Sequence, residues 1–169
     1  MNQDNLKNIQ DFMLKTKTMV KFVETKVVFE EIPDRVTLAV TISNCPFHCI
    51  GCHSEYLRDN IGEDLTHEKI DELLKKNKGV DCFLFLGDGN NISEICELAK
   101  YIQNNYATVD TAIYSGYDTI LNEYLGCFDY IKIGKYIKEY GPLNSKTTNQ
   151  RLFKKINGNF EDITHRLQH

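Results

Sequence analysis

The chain has 169 residues, 41% of them hydrophobic, which is enough for one domain with a real core. Its net charge of -4 leaves no broad basic surface for nucleic acid, and no apolar stretch is long enough to span a bilayer. No secretory h-region opens the chain, so the expectation is a cytoplasmic protein whose six cysteines stay reduced.

Residues 1–18 mix Asp4, Lys7, Asp11, Lys15 and Lys17 with Leu6, Ile9, Phe12, Met13 and Leu14. That is the pattern of an amphipathic helix, read as an extension ahead of one domain over residues 19–169. Val20 to Ile32 reads as a strand region closed by a turn at Pro33-Asp34. Val36 to Ile42 is a second strand, rich in β-branched residues, and a cysteine-bearing loop follows it at once. Thr66 can cap a helix running to about Lys76, with Ile70, Leu73 and Leu74 as its apolar face and Gly79 to close it. Cys82 to Leu86 is a continuous apolar run, the look of a strand buried on both faces. After Gly87-Asp88-Gly89, Asn91 with Glu94 suggests a capping box, and Ile92, Ile95, Leu98, Ala99 and Ile102 form a helical stripe. Val109 to Tyr114 is the next strand and leads into Ser115-Gly116-Tyr117. Asp118 can cap a short helix through Tyr124 and Leu125, and Phe128 to Ile133 is a further strand before Gly134-Lys135. Arg151 to Ile156, Asn157-Gly158 and Phe160 to Ile163 read as a short C-terminal hairpin on an Asn-Gly turn.

Strands that alternate with helices imply an α/β fold with parallel βαβ units. In such sheets ligands gather at the C-terminal ends of the strands. The cysteine loop, Gly87-Asp88-Gly89, Ser115-Gly116-Tyr117 and Gly134-Lys135 each directly follow a strand, which places them on one rim. The chain is too short for a closed eight-stranded barrel, so an incomplete, open (β/α) barrel is expected.

The loop reads Asn44-Cys45-Pro46-Phe47-His48-Cys49-Ile50-Gly51-Cys52-His53. Thiolates normally hold all four corners of a four-iron cluster. Three cysteines leave one iron open, and an open coordination position is where chemistry takes place. A structural zinc site on Cys45, Cys49 and Cys52, with His53 or His48 as fourth ligand, is the competing reading. Such sites usually pair two ligand knuckles far apart in sequence, and Cys82, Cys96 and Cys127 stand isolated from one another. They read as buried small hydrophobes. A reducing compartment speaks against a disulfide framework.

The C-x3-C-x2-C spacing resembles that of radical S-adenosylmethionine (SAM) enzymes. From about Val23 onward the chain is similar to the small activating proteins of anaerobic ribonucleoside-triphosphate reductase, which are glycyl-radical activases. The residues that carry the resemblance are Thr25-Lys26-Val27-Val28-Phe29-Glu30-Glu31-Ile32-Pro33, Cys49-Ile50-Gly51-Cys52-His53-Ser54, Tyr114-Ser115-Gly116-Tyr117 and Gly141 to Arg151. It implies a radical SAM domain with a [4Fe-4S] cluster on Cys45, Cys49 and Cys52, and SAM chelated at the open iron. Reductive cleavage of SAM would give methionine and a 5′-deoxyadenosyl radical, which takes a hydrogen from a glycine of the large reductase subunit. The implied partners are that class III reductase subunit and an electron donor such as flavodoxin or ferredoxin. An activase for another glycyl-radical enzyme, or a zinc-binding interaction module, are the alternatives.

The resemblance also nominates SAM contacts. Gly51 and His53 stand where related activases touch adenine, although a solvated loop histidine explains His53 equally well. Gly87-Asp88-Gly89 takes the place of the superfamily's Gly-Gly-Glu motif, with its acid one position early. Asp88 either receives the SAM ammonium or leaves that to backbone carbonyls and caps the following helix. Ser115 is a further polar contact. Lys132 and Lys135 can neutralise the SAM carboxylate or simply face solvent. Thr147-Thr148-Asn149-Gln150-Arg151 orders a loop over the site, contacts the partner, or is a turn into the hairpin.

Overall fold

β-Branched and aromatic runs between glycine and asparagine turns build one open sheet, seen in a computed structural model that describes residues 19–169. The helix expected over residues 1–18 lies outside the described residues. The strands are β1 (Lys21–Val28), β2 (Thr37–Ile42), β3 (Glu63–Asp64), β4 (Cys82–Leu86), β5 (Asp110–Tyr114), β6 (Tyr130–Ile133), β7 (Arg151–Ile156) and β8 (Asn159–Asp162). Their order across the sheet is β3-β1-β2-β4-β5-β6-β7-β8. The fold is therefore mixed α/β. Strands β2, β4, β5 and β6 run parallel, whereas β1, β3, β7 and β8 extend the two flanks antiparallel.

Two helices cover one face: α1 (His67–Lys76) and α2 (Ile92–Asn105). Their caps are the ones the sequence signals. The Thr66 side chain accepts from the Lys69 N–H at 3.1 Å, and the Asn91 side chain accepts from the Glu94 N–H at 3.1 Å. Helix α1 ends at Lys76 as expected, but Asn77 rather than Gly79 closes it, because the Asn77 N–H and side chain both bond back to the Leu73 carbonyl. The short helix expected from Asp118 is a single 3-10 turn, Asn122–Tyr124. Ile120 and Leu121 pack against the helix-side core, and Leu121, just ahead of that turn, is extended.

The parallel strands are buried on both sides, and this explains the unbroken apolar run in β4. Phe83 and Phe85 face the helices with Leu38, Val40, Ile113 and Ile131. Cys82 and Leu84 face the other way with Ala39, Ala112 and Tyr130. No described helix covers that inner face. Ile32 from the β1–β2 connection covers it, with Leu143, Ile163 and Leu167 from the C-terminal third. Cross-strand pairing sets Thr41, Leu86, Tyr114, Lys132 and Leu152 in one row on the inner face, just below the C-terminal ends of the parallel strands. At the opposite ends, Arg35 donates to Asp110 at 2.6 Å, Asp81 at 3.4 Å and the Tyr130 hydroxyl at 3.4 Å. No helix among the described residues is long and apolar enough to cross a membrane.

Candidate metal centre

The cysteine loop leaves the end of β2 and is fixed at its base by backbone bonds. The Asn44 N–H donates to the Asp59 carbonyl at 3.0 Å, and the Cys45 N–H to the Leu57 carbonyl at 2.8 Å. Ser43 is buried, and its hydroxyl donates to the Ile61 carbonyl at 2.6 Å. Within the loop the Cys52 N–H donates to the Cys49 carbonyl at 3.2 Å. The Ser54 N–H lies 3.4 Å from the Cys52 sulfur, a donor that stabilises negative charge there. All three cysteines are free and half-buried. Burial raises the Cys45 pKa, and the charges of Asp88, Cys49 and Cys52 push it the same way. The three positions are thus near enough to act on one another.

Among the described residues no three His, Cys, Asp or Glu side chains converge as they would around a single metal ion. Four ligands about one tetrahedral zinc stand ~3.8 Å apart, given Zn–S bonds of ~2.3 Å. A cubane receives its thiolates at separate iron corners and asks for a wider triangle. Half-buried thiols on one short loop, with the Ser54 N–H turned to the Cys52 sulfur, fit that donor set. Zinc's remaining candidate ligands, His48 and His53, are both exposed.

The loop is pressed against two other strand ends. The Phe47 ring makes an edge contact with Tyr117 at 4.9 Å and sits under the Lys135 ammonium at 5.5 Å. It also fills the space beside Gly116, where a Cβ would meet the ring at 2.5 Å, so only glycine fits there. His53 is exposed and lies 5.8 Å from the Tyr136 ring. Gly51 has φ +74°, and nothing lies within 4 Å of where its Cβ would be. Its role here is a left-handed backbone step, and the space beside it is open to a ligand. Ile50, next to it, is 94% exposed.

Asp88 is buried, with both carboxylate oxygens engaged inside the protein. One accepts the Gly116 N–H at 2.8 Å and the other the Tyr124 hydroxyl at 2.7 Å. The cap of α2 is Asn91, so Asp88 is not a helix cap; it ties the end of β4 to the end of β5. Burial, with the Asp88 charge beside it, raises the Tyr124 pKa. Gly87 and Gly89 flank this tie and pack on Ile42. Ser115 is also buried, and its hydroxyl accepts the Tyr117 N–H at 3.1 Å.

Lys132 is buried at the end of β6. Its Nζ donates to the Gly134 carbonyl at 3.1 Å and lies 5.5 Å above the Tyr114 ring. Burial lowers its pKa to about 8, partly offset by the charges of Asp88 and Cys49. Lys135, in contrast, is exposed. A cavity of about 420 Å³ opens on this inner face against Tyr114, between the 29–34 segment, Leu143 and Leu167.

Some residues of the site stand out in the sequence without a settled role, and others carry no signal there. Asn149 donates to the Lys135 carbonyl at 2.9 Å and Gln150 to the Gly134 carbonyl at 3.3 Å, so the Thr147 to Arg151 segment clamps the loop after β6. Phe47 and Tyr124 look like ordinary apolar residues until Gly116 and Asp88 are placed beside them. Arg58 donates to the Cys49 carbonyl at 3.3 Å from a turn that the sequence does not announce.

No curated protein and no solved structure matches the chain. A family model described as a 4Fe-4S single cluster domain matches residues 34–154, more than half of the chain, and this range contains the cysteine loop and all four parallel strands. The match supports iron–sulfur binding, and the chain belongs to the 4Fe-4S single cluster domain family.

Proposed function

We propose that the protein is a radical SAM activase of the open-barrel type. In this reading Cys45, Cys49 and Cys52 hold a [4Fe-4S] cluster with one iron left for SAM. The product is a glycyl radical on anaerobic (class III) ribonucleoside-triphosphate reductase. The observation that carries the reading is the packing of a three-cysteine loop on the C-terminal ends of neighbouring parallel strands, where Phe47 meets Gly116. The bound cluster and SAM supply the chemistry, one-electron reductive cleavage of the S–C5′ bond.

The chain's own residues would bind and orient. Backbone groups of Gly87, Asp88 and Gly89 line the rim, and they suit the SAM ammonium better than the Asp88 carboxylate, whose oxygens are already engaged. Lys132 gives the inner face a cation suited to the SAM carboxylate. Ser115, Gly51 and the exposed His53 are the remaining contacts at the rim. The cavity against Tyr114 offers the partner's glycine a way onto the same face. The electron comes from a carrier such as flavodoxin or ferredoxin in a reducing cytoplasm.

The test is anaerobic reconstitution with iron and sulfide, followed by SAM and dithionite. The expected products are methionine and 5′-deoxyadenosine in equal amounts, with a glycyl radical signal once the reductase subunit is added. A loaded protein that makes no 5′-deoxyadenosine refutes the reading, and so does a colourless protein with stoichiometric zinc. A radical raised only on a different glycyl-radical enzyme reassigns the substrate.

A further inference from the structure

Arg58 closes the 3-10 turn Glu55–Arg58, a few residues beyond the last cysteine of the loop. Two backbone bonds bracket it, Cys45 N–H to Leu57 and Asn44 N–H to Asp59, so Arg58 stands directly across from the first cysteine. Its Nη2 donates to the Cys49 carbonyl, the same oxygen that accepts the Cys52 N–H. The Arg58 backbone thus lies beside Cys45, and its guanidinium holds the carbonyl that closes the Cys49–Cys52 turn. Its ion pair with Glu55 is loose at 3.9 Å, and the Glu55 side chain is 65% exposed. The Arg58 Nε is buried and has no hydrogen-bond partner among the described residues. Native proteins seldom leave such a donor unmatched, and one that remains asks what fills it.

We propose that Arg58 is a positioning residue for the iron–sulfur centre, its Nε–H donating to an anionic sulfur of the bound cluster or its cysteine ligands. The inference rests on the iron–sulfur assignment and not on the SAM reading. The guanidinium is always charged and holds its donors in a fixed fork. When one electron from a reductant takes the cluster from [4Fe-4S]²⁺ to [4Fe-4S]⁺, a negative charge is added beside that cation. The reduced form gains more from the contact than the oxidised form, so Arg58 raises the reduction potential. No proton leaves Arg58 and no bond at it breaks.

The experiment is a reductive titration of the anaerobically reconstituted full chain with dithionite, as wild type, Arg58→Met and Arg58→Lys. Iron and acid-labile sulfide are measured in parallel. Arg58→Met should lower the one-electron reduction equilibrium about tenfold, ~59 mV, and Arg58→Lys should fall between it and the wild type. Unchanged potentials at full iron content overturn the proposal. If Arg58→Met fails to retain iron, the wild type decides. Pulsed electron paramagnetic resonance of the reduced protein carrying ¹⁵N-arginine should show a nitrogen coupling that Arg58→Lys loses, and no coupling in the wild type overturns the proposal. A wild-type chain that takes up neither iron nor sulfide overturns the iron–sulfur assignment, and this inference with it.

Discussion

The Phe47 ring rests against the α-carbon of Gly116, so closely that a methyl group on residue 116 would stand 2.5 Å from the ring. The same Gly116 gives its N–H to Asp88. One contact and one hydrogen bond thereby fasten the cysteine loop to the strand ends beside it.

Gly116→Ala should push Phe47 outward and take the loop with it. Overpacking of this kind costs about 1–3 kcal/mol. Urea unfolding of the cluster-free protein measures that loss, and iron retained after desalting measures the effect on the loop. A second change, Phe47→Leu, should recover much of both. A Gly116→Ala protein with wild-type stability and iron content would mean that the loop does not depend on this contact.

Single replacement of Cys45, Cys49 or Cys52 by Ala should abolish SAM cleavage and lower bound iron. The same change at Cys82, Cys96 or Cys127 should leave iron content intact, since those thiols are buried in the cores or beside them. Colorimetric iron analysis and 5′-deoxyadenosine yield check this. Full turnover in any of the first three variants would remove that residue from the ligand set.

Lys132 makes stability depend on pH. The unfolded chain keeps that lysine protonated to near 10.4, whereas burial lets the folded protein release the proton from about 8. Between these values the unfolded state binds more protons, so folded stability rises with pH. The gap is worth about 3 kcal/mol at most, using ~1.4 kcal/mol per unit. Denaturation of cluster-free wild type and Lys132→Met between pH 7 and 11 should show wild type gaining on the variant across that window. Parallel curves would contradict the buried position of the ammonium.

Asp88→Ala should strand both the Tyr124 hydroxyl and the Gly116 N–H, at a cost of roughly 2–4 kcal/mol. It should also weaken SAM binding more than cluster loading. Tyr124→Phe should reproduce a good part of both effects, because the carboxylate acts by holding two strand ends together. Equilibrium SAM binding of the two variants, next to urea unfolding, reads this out. A loss of SAM affinity confined to Asp88 variants would restore direct contact with the SAM ammonium.

The features legible in the sequence are the local ones. Thr66 and Asn91 bond three residues ahead of themselves, and the Asn157-Gly158 turn needs only its own two positive φ angles, 51° and 82°. The run from Cys82 to Leu86 announces burial on both faces because every residue in it is apolar. Partners distant in sequence are a different matter. Nothing in the pattern of Val20 to Ile32 shows that β1 pairs antiparallel, and Glu63–Asp64 is too short and too polar to read as a strand. Asp88 reads as a ligand because its partner Tyr124 is 36 residues away and resembles any aromatic. The role of Asn149 and Gln150 stays open in the sequence because the carbonyls they hold belong to a loop 14 and 16 residues earlier. The cysteines stood out only because their spacing is itself the signal.

Lys132 shares its row with Thr41, Leu86 and Tyr114, and its neighbours Ile131 and Ile133 belong with the opposite face. A slip of β6 by a single residue would turn the lysine toward the phenylalanines beneath α2 and strand two isoleucines on the other side. The ammonium therefore also works as a registration mark: a wrongly paired β6 carries a penalty that an all-aliphatic strand would not impose.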